Sequence, residues 1–100
     1  MVEVSIVIIN YNTFELTCAA IQSLYDKVKG TSFEIILVDN GSTEKKPERM
    51  GNKYPGLKEI VSQENLGFAK GNNLGIAQAK GKYILLLNSD TILVNDAVSI

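Results

Sequence analysis

Four apolar runs of strand length, each separated from the next by well over ten residues, constrain this chain most. They are Val4-Ser5-Ile6-Val7-Ile8-Ile9, Phe33 to Val38, Leu57 to Ser62, and Tyr83-Ile84-Leu85-Leu86-Leu87. The first, second and fourth are dominated by β-branched and large apolar residues, which suits strands covered on both faces. Connections this long exclude tight hairpins and leave room for a crossover helix in each. The strands are therefore expected to pair mostly in parallel, with right-handed crossovers. The third run carries Lys58 and Glu59, which places it nearer a sheet edge. The fourth, five consecutive apolar residues, is expected to be buried on both faces and to leave the core at Asn88-Ser89-Asp90.

The segments between the runs read as helices. Phe14, Cys18, Ile21, Tyr25 and Val28 recur at three- and four-residue steps, a helical face over Phe14 to about Lys29. Asn12 or Thr13 supplies a side-chain oxygen for its N-terminus, and Gly30 a stop. Thr43 to Lys53, with Pro47 acceptable in a first turn, is expected to hold a short helix. A third helix is expected from about Ala69 to Ala79. Its Gly71 and Gly75 each cost about 1 kcal/mol of helix propensity relative to Ala. A close backbone approach or a ligand is expected to offset that cost. The result is an α/β chain: a Rossmann-like, mostly parallel sheet with flanking helices. One hundred residues make a single domain. Because Thr91 to Ile100 starts an element without finishing it, that domain is expected to be truncated at its C-terminal end.

Composition removes several classes of function. With ten basic and eleven acidic residues the net charge is −1, so no nucleic-acid partner is expected. The local cluster Lys45, Lys46 and Arg49 reads as a solvated turn or helix start. There is no histidine, which excludes Ser-His-Asp and Cys-His catalysis within the chain. The single cysteine, Cys18, lies on the apolar face of the first helix and reads as a small core residue. Met1 to Ser5 has no basic stretch of the kind that opens a signal peptide. Val4 to Ile9 is too short to span a bilayer. A soluble, cytoplasmic location is the expectation.

Three strand ends then converge: Asn10-Tyr11-Asn12, Asp39-Asn40-Gly41-Ser42 and Asn88-Ser89-Asp90. In a parallel sheet all three open on the carboxyl edge, where such folds bind ligands. Each could be turn chemistry alone. Together they supply two carboxylates, an aromatic ring and several amides, which suits a polar ligand with a flat ring and a hard divalent cation. No Gly-x-Gly-x-x-Gly follows the first strand and no phosphate loop occurs.

Four blocks stand in order: Val4 to Asn12, Val38-Asp39-Asn40-Gly41-Ser42, Asn65-Leu66-Gly67-Phe68-Ala69-Lys70-Gly71-Asn72-Asn73-Leu74-Gly75-Ile76, and Leu86-Leu87-Asn88-Ser89-Asp90. This succession resembles a family 2 glycosyltransferase of the GT-A fold, with particular likeness to the rhamnosyltransferase-like branch. The resemblance covers essentially the whole chain, but only the nucleotide-binding half of such an enzyme. It implies a nucleotide-sugar donor, UDP- or dTDP-linked, and a saccharide or lipid-linked acceptor. Asn10, Tyr11 and Asn12 would lie along the nucleoside, with Tyr11 near the base. Asp39 would hydrogen-bond the pyrimidine. Gly67 would allow a close backbone approach, Asn73 would point inward, and Ser89 would border the nucleotide. Asn88-Ser89-Asp90 would stand in the place of the family's Asp-x-Asp motif and hold Mg2+ or Mn2+, with Asp90 the charged ligand and Asn88 a neutral one. The catalytic base of an inverting member would lie beyond residue 100, so donor binding without catalysis is expected of this chain. Membrane association is expected only of a full-length enzyme, and dimerisation could run through the truncated edge.

Two other readings differ in class. A non-catalytic signalling or interaction module would use Asp39 as a phospho-acceptor, but Asn10 and Asn12 stand where its acidic pair is needed. A nucleotidyltransferase would carry a Gly-rich basic loop after the first strand, and Asn10-Tyr11-Asn12-Thr13 is neither.

Overall fold

The computed structural model describes residues 2–12, 14–42 and 57–87. In chain order these form β1 (Val4–Asn10), α1 (Phe14–Lys27), β2 (Phe33–Asn40), β3 (Lys58–Ser62), α2 (Phe68–Ala77) and β4 (Tyr83–Leu87). The four strands make one sheet in the order β3-β2-β1-β4. Every pairing is parallel, as the long connections require. The helix expected over Thr43 to Lys53 lies outside the described residues.

The helices cover opposite faces. Ile6, Ile8, Ile35 and Leu37 point to one side and pack with Ile21 and Leu24 of α1 and with Val28 just after it; Cys18 lies half-buried against the same cluster. Val7, Ile36 and Val38 point to the other side, where Leu74 and Ala79 meet them. The alternation along β1 and β2 thus feeds two cores, which is why residues 6–9 and 35–38 are continuously apolar. α2 lies close to the sheet: a β-carbon on Gly75 would collide with the Val7 side chain, and one on Gly71 would stand 3.3 Å from Ile9 Cδ1. The cost of the two helical glycines is therefore linked to backbone approach to the sheet.

β4 departs from expectation. Leu85 and Leu87 pack against the α1-side core, but Ile84 and Leu86, on the α2 side, are each 45% exposed, and Tyr83 is exposed too. Among the described residues β4 pairs with β1 alone, and α2 sits over β1 and β2 rather than over β4. Among the described residues the run is covered on one face, not two. A continuous apolar sequence reports two apolar faces without reporting what covers them.

The amino edge of the sheet is tied by one carboxylate. Glu34 Oε2 accepts from Ser5 Oγ and from the Lys80 N–H at 2.8 Å, while Lys58 Nζ lies 3.2 Å from Oε1. Ser5 Oγ also receives the Gly81 N–H at 2.7 Å. Burial pushes the Glu34 carboxyl up. The hydrogen bonds from Ser5, Lys80 and Lys58, with the Lys58 charge, outweigh it and hold Glu34 below the usual glutamate value. No helix among the described residues is long and apolar enough to cross a membrane.

Candidate functional site

The strand order determines where a ligand can sit. From β1 the chain moves outward to β2 and β3, then returns past β1 to β4 on its other side. The crossovers diverge at β1, and a crevice at the carboxyl ends is the consequence of such a reversal. Asn10 ends β1, and Asn88 follows β4 directly in sequence. Asn88, Ser89 and Asp90 themselves lie outside the described residues.

At that edge β1 and β2 are in register through Asn10 and Asp39. Asp39 and Asn40 belong to β2 rather than to a turn; the turn begins at Gly41. Asn10 is 1% exposed and Asp39 6%. Asn10 Nδ2 donates to Asp39 Oδ1 at 3.5 Å and to Ser42 Oγ at 3.3 Å, while its Oδ1 accepts from Thr17 Oγ1 of α1 at 3.0 Å. Burying an amide without partners would cost about 1–3 kcal/mol, and this one is satisfied on both atoms. Asn10 therefore fixes the end of β1 against β2 and α1 together.

The loop beyond β1 is held by Ser42. Asn12 adopts φ 54°, in the left-handed region that Asn tolerates. Its N–H donates to Ser42 Oγ at 2.9 Å. The Tyr11 ring is left 44% exposed beside this loop. Gly41 permits the turn, with φ 77° and no room for a β-carbon against the Glu64 and Asn65 backbone. On its far side Asn40 bonds to Asn65, Leu66 and Gly67. Gly67, at φ 84°, caps α2 without a side-chain hydrogen bond to the helix.

The structure thus brings Asn10, Tyr11, Asn12, Asp39 and Gly67 to one edge of the sheet. Asn73 lies on α2 with its side chain exposed; the inward amide of this helix is the neighbouring Asn72. Sequence reasoning did not single out Asn40, Ser42 or Thr17. Thr17 carried a usable signal, a polar residue buried on an apolar helical face. Asn40 and Ser42 stood within the strand end Asp39-Asn40-Gly41-Ser42 without roles of their own, because their partners are far away in sequence. Every buried side-chain nitrogen and oxygen among the described residues has a partner. The edge is a rigid polar rim of amides around the Asp39 carboxylate, with an aromatic ring at its margin. It can present hydrogen-bond acceptors and donors to the edge of a flat polar ring. No group of three or more metal-ligating side chains occurs among the described residues.

These features agree with what the chain resembles. Residues 5–99 match the profile of Glycosyl transferase family 2, and the chain belongs to that family. The cholesterol galactosyltransferase of Borreliella burgdorferi is 34% identical over 96 residues, covering 88% of this chain and 25% of the relative. Glycosyltransferase GlyG of Streptococcus pneumoniae is 32% identical over 102 residues, covering 95% of this chain and 32% of GlyG. Among solved structures, S. aureus TarS 1-349 superposes with a TM-score of 0.81 at 27% identity, covering 96% of this chain and 29% of that one. The same TarS segment in complex with UDP gives 0.80, and in complex with UDP-GlcNAc 0.77. The chain spans less than a third of the length of each of these proteins.

Proposed function

We propose that this chain forms the donor-nucleotide side of a glycosyltransferase. Such an enzyme passes a sugar from a UDP- or dTDP-sugar to a saccharide or lipid-linked acceptor, with inversion. The observation that carries the reading is the buried Asn10–Asp39 pair, in register at the carboxyl ends of two parallel strands and beside the reversal of strand order. TarS, similar over 96% of the chain, is known in complex with UDP and with UDP-GlcNAc, which supports a uridine nucleotide as the ligand.

In this reading Asp39 accepts the ring N–H of the pyrimidine, and Asn10 holds that carboxylate in place. Tyr11 covers the base, and Asn12 and Gly67 line the nucleotide with backbone. Asn73 and Ser89 border the sugar and diphosphate. Asp90, with Asn88, would hold Mg2+ or Mn2+, which supplies charge stabilisation to a departing diphosphate. Activation of the acceptor hydroxyl belongs to the larger part of such enzymes that this chain does not span.

Titration of the chain with UDP and dTDP, with and without Mg2+ or Mn2+, tests the reading by calorimetry and NMR. Saturable binding that strengthens with metal is expected, with amide shifts at residues 10–12, 39 and 65–67. A folded sample that binds neither nucleotide under any of these conditions would overturn it.

A further inference from the structure

Asn40 is the last residue of β2 and is 2% exposed, yet its amide reaches across to another segment. Oδ1 accepts the Leu66 N–H at 2.9 Å; Nδ2 donates to the Gly67 carbonyl at 3.1 Å and to Asn65 Oδ1 at 3.2 Å. Asn65 Oδ1 closes on the Gly67 N–H at 2.8 Å. Two of the partners of Asn40 are backbone groups of opposite polarity. Exchanging its oxygen and nitrogen would set donor against donor at Leu66 and acceptor against acceptor at Gly67, so the amide has one productive orientation. Neither Asp nor Leu can replace it: Asp lacks the donor, and Leu lacks both functions.

The surroundings fit this amide closely. A β-carbon on Gly71 would stand 3.0 Å from Asn40 Nδ2, so the bare glycine on α2 leaves it its space. On the outer side the picture reverses. A β-carbon on Gly67 would meet nothing within 4 Å among the described residues. Gly67 thus has open space on one side and the hydrogen bonds of Asn40 and Asn65 on the other.

We infer that Asn40 is a positioning residue for the donor. It clamps the Asn65–Gly67 backbone in one conformation, so that Gly67 presents its open face to the nucleotide. The inference rests on the donor-site reading of this edge. Asn40 acts through the loop and does not itself touch the ligand. A loop that is competent only part of the time lowers apparent affinity by the competent fraction. Removing the clamp therefore weakens binding without removing any group that contacts the nucleotide.

The test compares the wild-type chain with Asn40→Ala, Asn40→Asp and Glu34→Gln. Each is titrated with UDP and dTDP by calorimetry at a temperature where circular dichroism shows it folded. Amide exchange at Leu66 and Gly67 is followed by NMR. Glu34→Gln lowers stability from the opposite edge and controls for destabilisation alone. Asn40→Ala and Asn40→Asp are expected to speed exchange at Leu66 or Gly67 and to weaken the nucleotide about tenfold, as for a loop competent about a tenth of the time. Glu34→Gln is expected to stay within about twofold of wild type. Wild-type affinity in folded Asn40→Ala, or unchanged exchange at both amides, overturns the inference. If neither Asn40 variant folds, Asn65→Ala takes their place from an exposed position: the same loss of affinity supports the clamp, and wild-type affinity overturns it. A wild-type chain that binds neither nucleotide overturns the donor reading instead, so the two failures are distinguishable.

Discussion

At the amino edge of the sheet a single carboxylate gathers its neighbours, with Ser5, Lys58 and the Lys80 N–H all meeting Glu34. At the carboxyl edge the work is done by neutral groups: Asn10, Ser42, Asn40 and Asn65 link three segments through amides and a hydroxyl. Both networks join segments distant in sequence. They differ in what they leave for a ligand. Glu34 has both oxygens engaged by the protein and serves cohesion. An amide donates and accepts at once, so Asn40 can fix loop backbone, and Asn10 the Ser42 and Thr17 side chains, without adding charge beside Asp39. Among the described residues, the groups that order the site edge are uncharged and stand beside the Asp39 carboxylate.

Substitutions at each edge can break this contrast. The largest effect is expected for Gly41→Ala, which meets both a left-handed φ and the Glu64–Asn65 backbone. It should cost about 3 kcal/mol or more in urea denaturation. Glu34→Ala should follow, at about 2–3 kcal/mol, because it strips a charged acceptor from Ser5, Lys80 and Lys58. It should leave nucleotide affinity unchanged; a parallel loss of binding would mean that the two edges are coupled.

The same carboxylate gives a pH signature. Glu34 is held below the usual glutamate value, so its contribution is whole above the unfolded pKa of about 4.3. It fades as pH falls from there through the lower folded value. Acid titration of thermal stability should therefore be flatter in Glu34→Gln than in wild type.

Asp39→Asn should weaken UDP by about 10- to 100-fold, since a hydrogen bond to a charged group contributes about 1.5–3 kcal/mol. Its melting temperature should move little, and calorimetry beside a thermal melt checks both. Smallest is Ser42→Ala, at about 1 kcal/mol for the lost hydroxyl, with the Asn12 amide shift as its most direct readout.

The fold was largely legible because its cause is local. Strand-length apolar runs and crossover-length connections leave parallel pairing as the consistent solution, and α1 followed from its apolar spacing. β4 was misjudged on one point, since nothing within Tyr83 to Leu87 says which neighbour covers Ile84 and Leu86. The site divides in the same way. Asn10 and Asp39 could be placed at strand ends from their own positions. The clamp of Asn40 on Leu66 spans 26 residues and the hold of Ser42 on Asn12 spans 30; such pairings arise from register and turn geometry that no single segment encodes. Asn72 and Asn73 show the limit most sharply, for a shift of one helical position decides which amide faces inward.

The central place of β1 also bears on how the chain is made. Its Val4–Asn10 run leaves the ribosome before the other described strands, yet its partner on one side is β4, and the Gly81 N–H bonded to Ser5 lies 76 residues further along. At about 5–20 residues per second, synthesis leaves that edge of β1 without β4 for roughly 4–15 s. A short, uncharged, β-branched segment in that condition is a template for pairing with other chains. β2, which follows much sooner, is the early guard of β1 on one side, while closure on the other side waits for the last described strand.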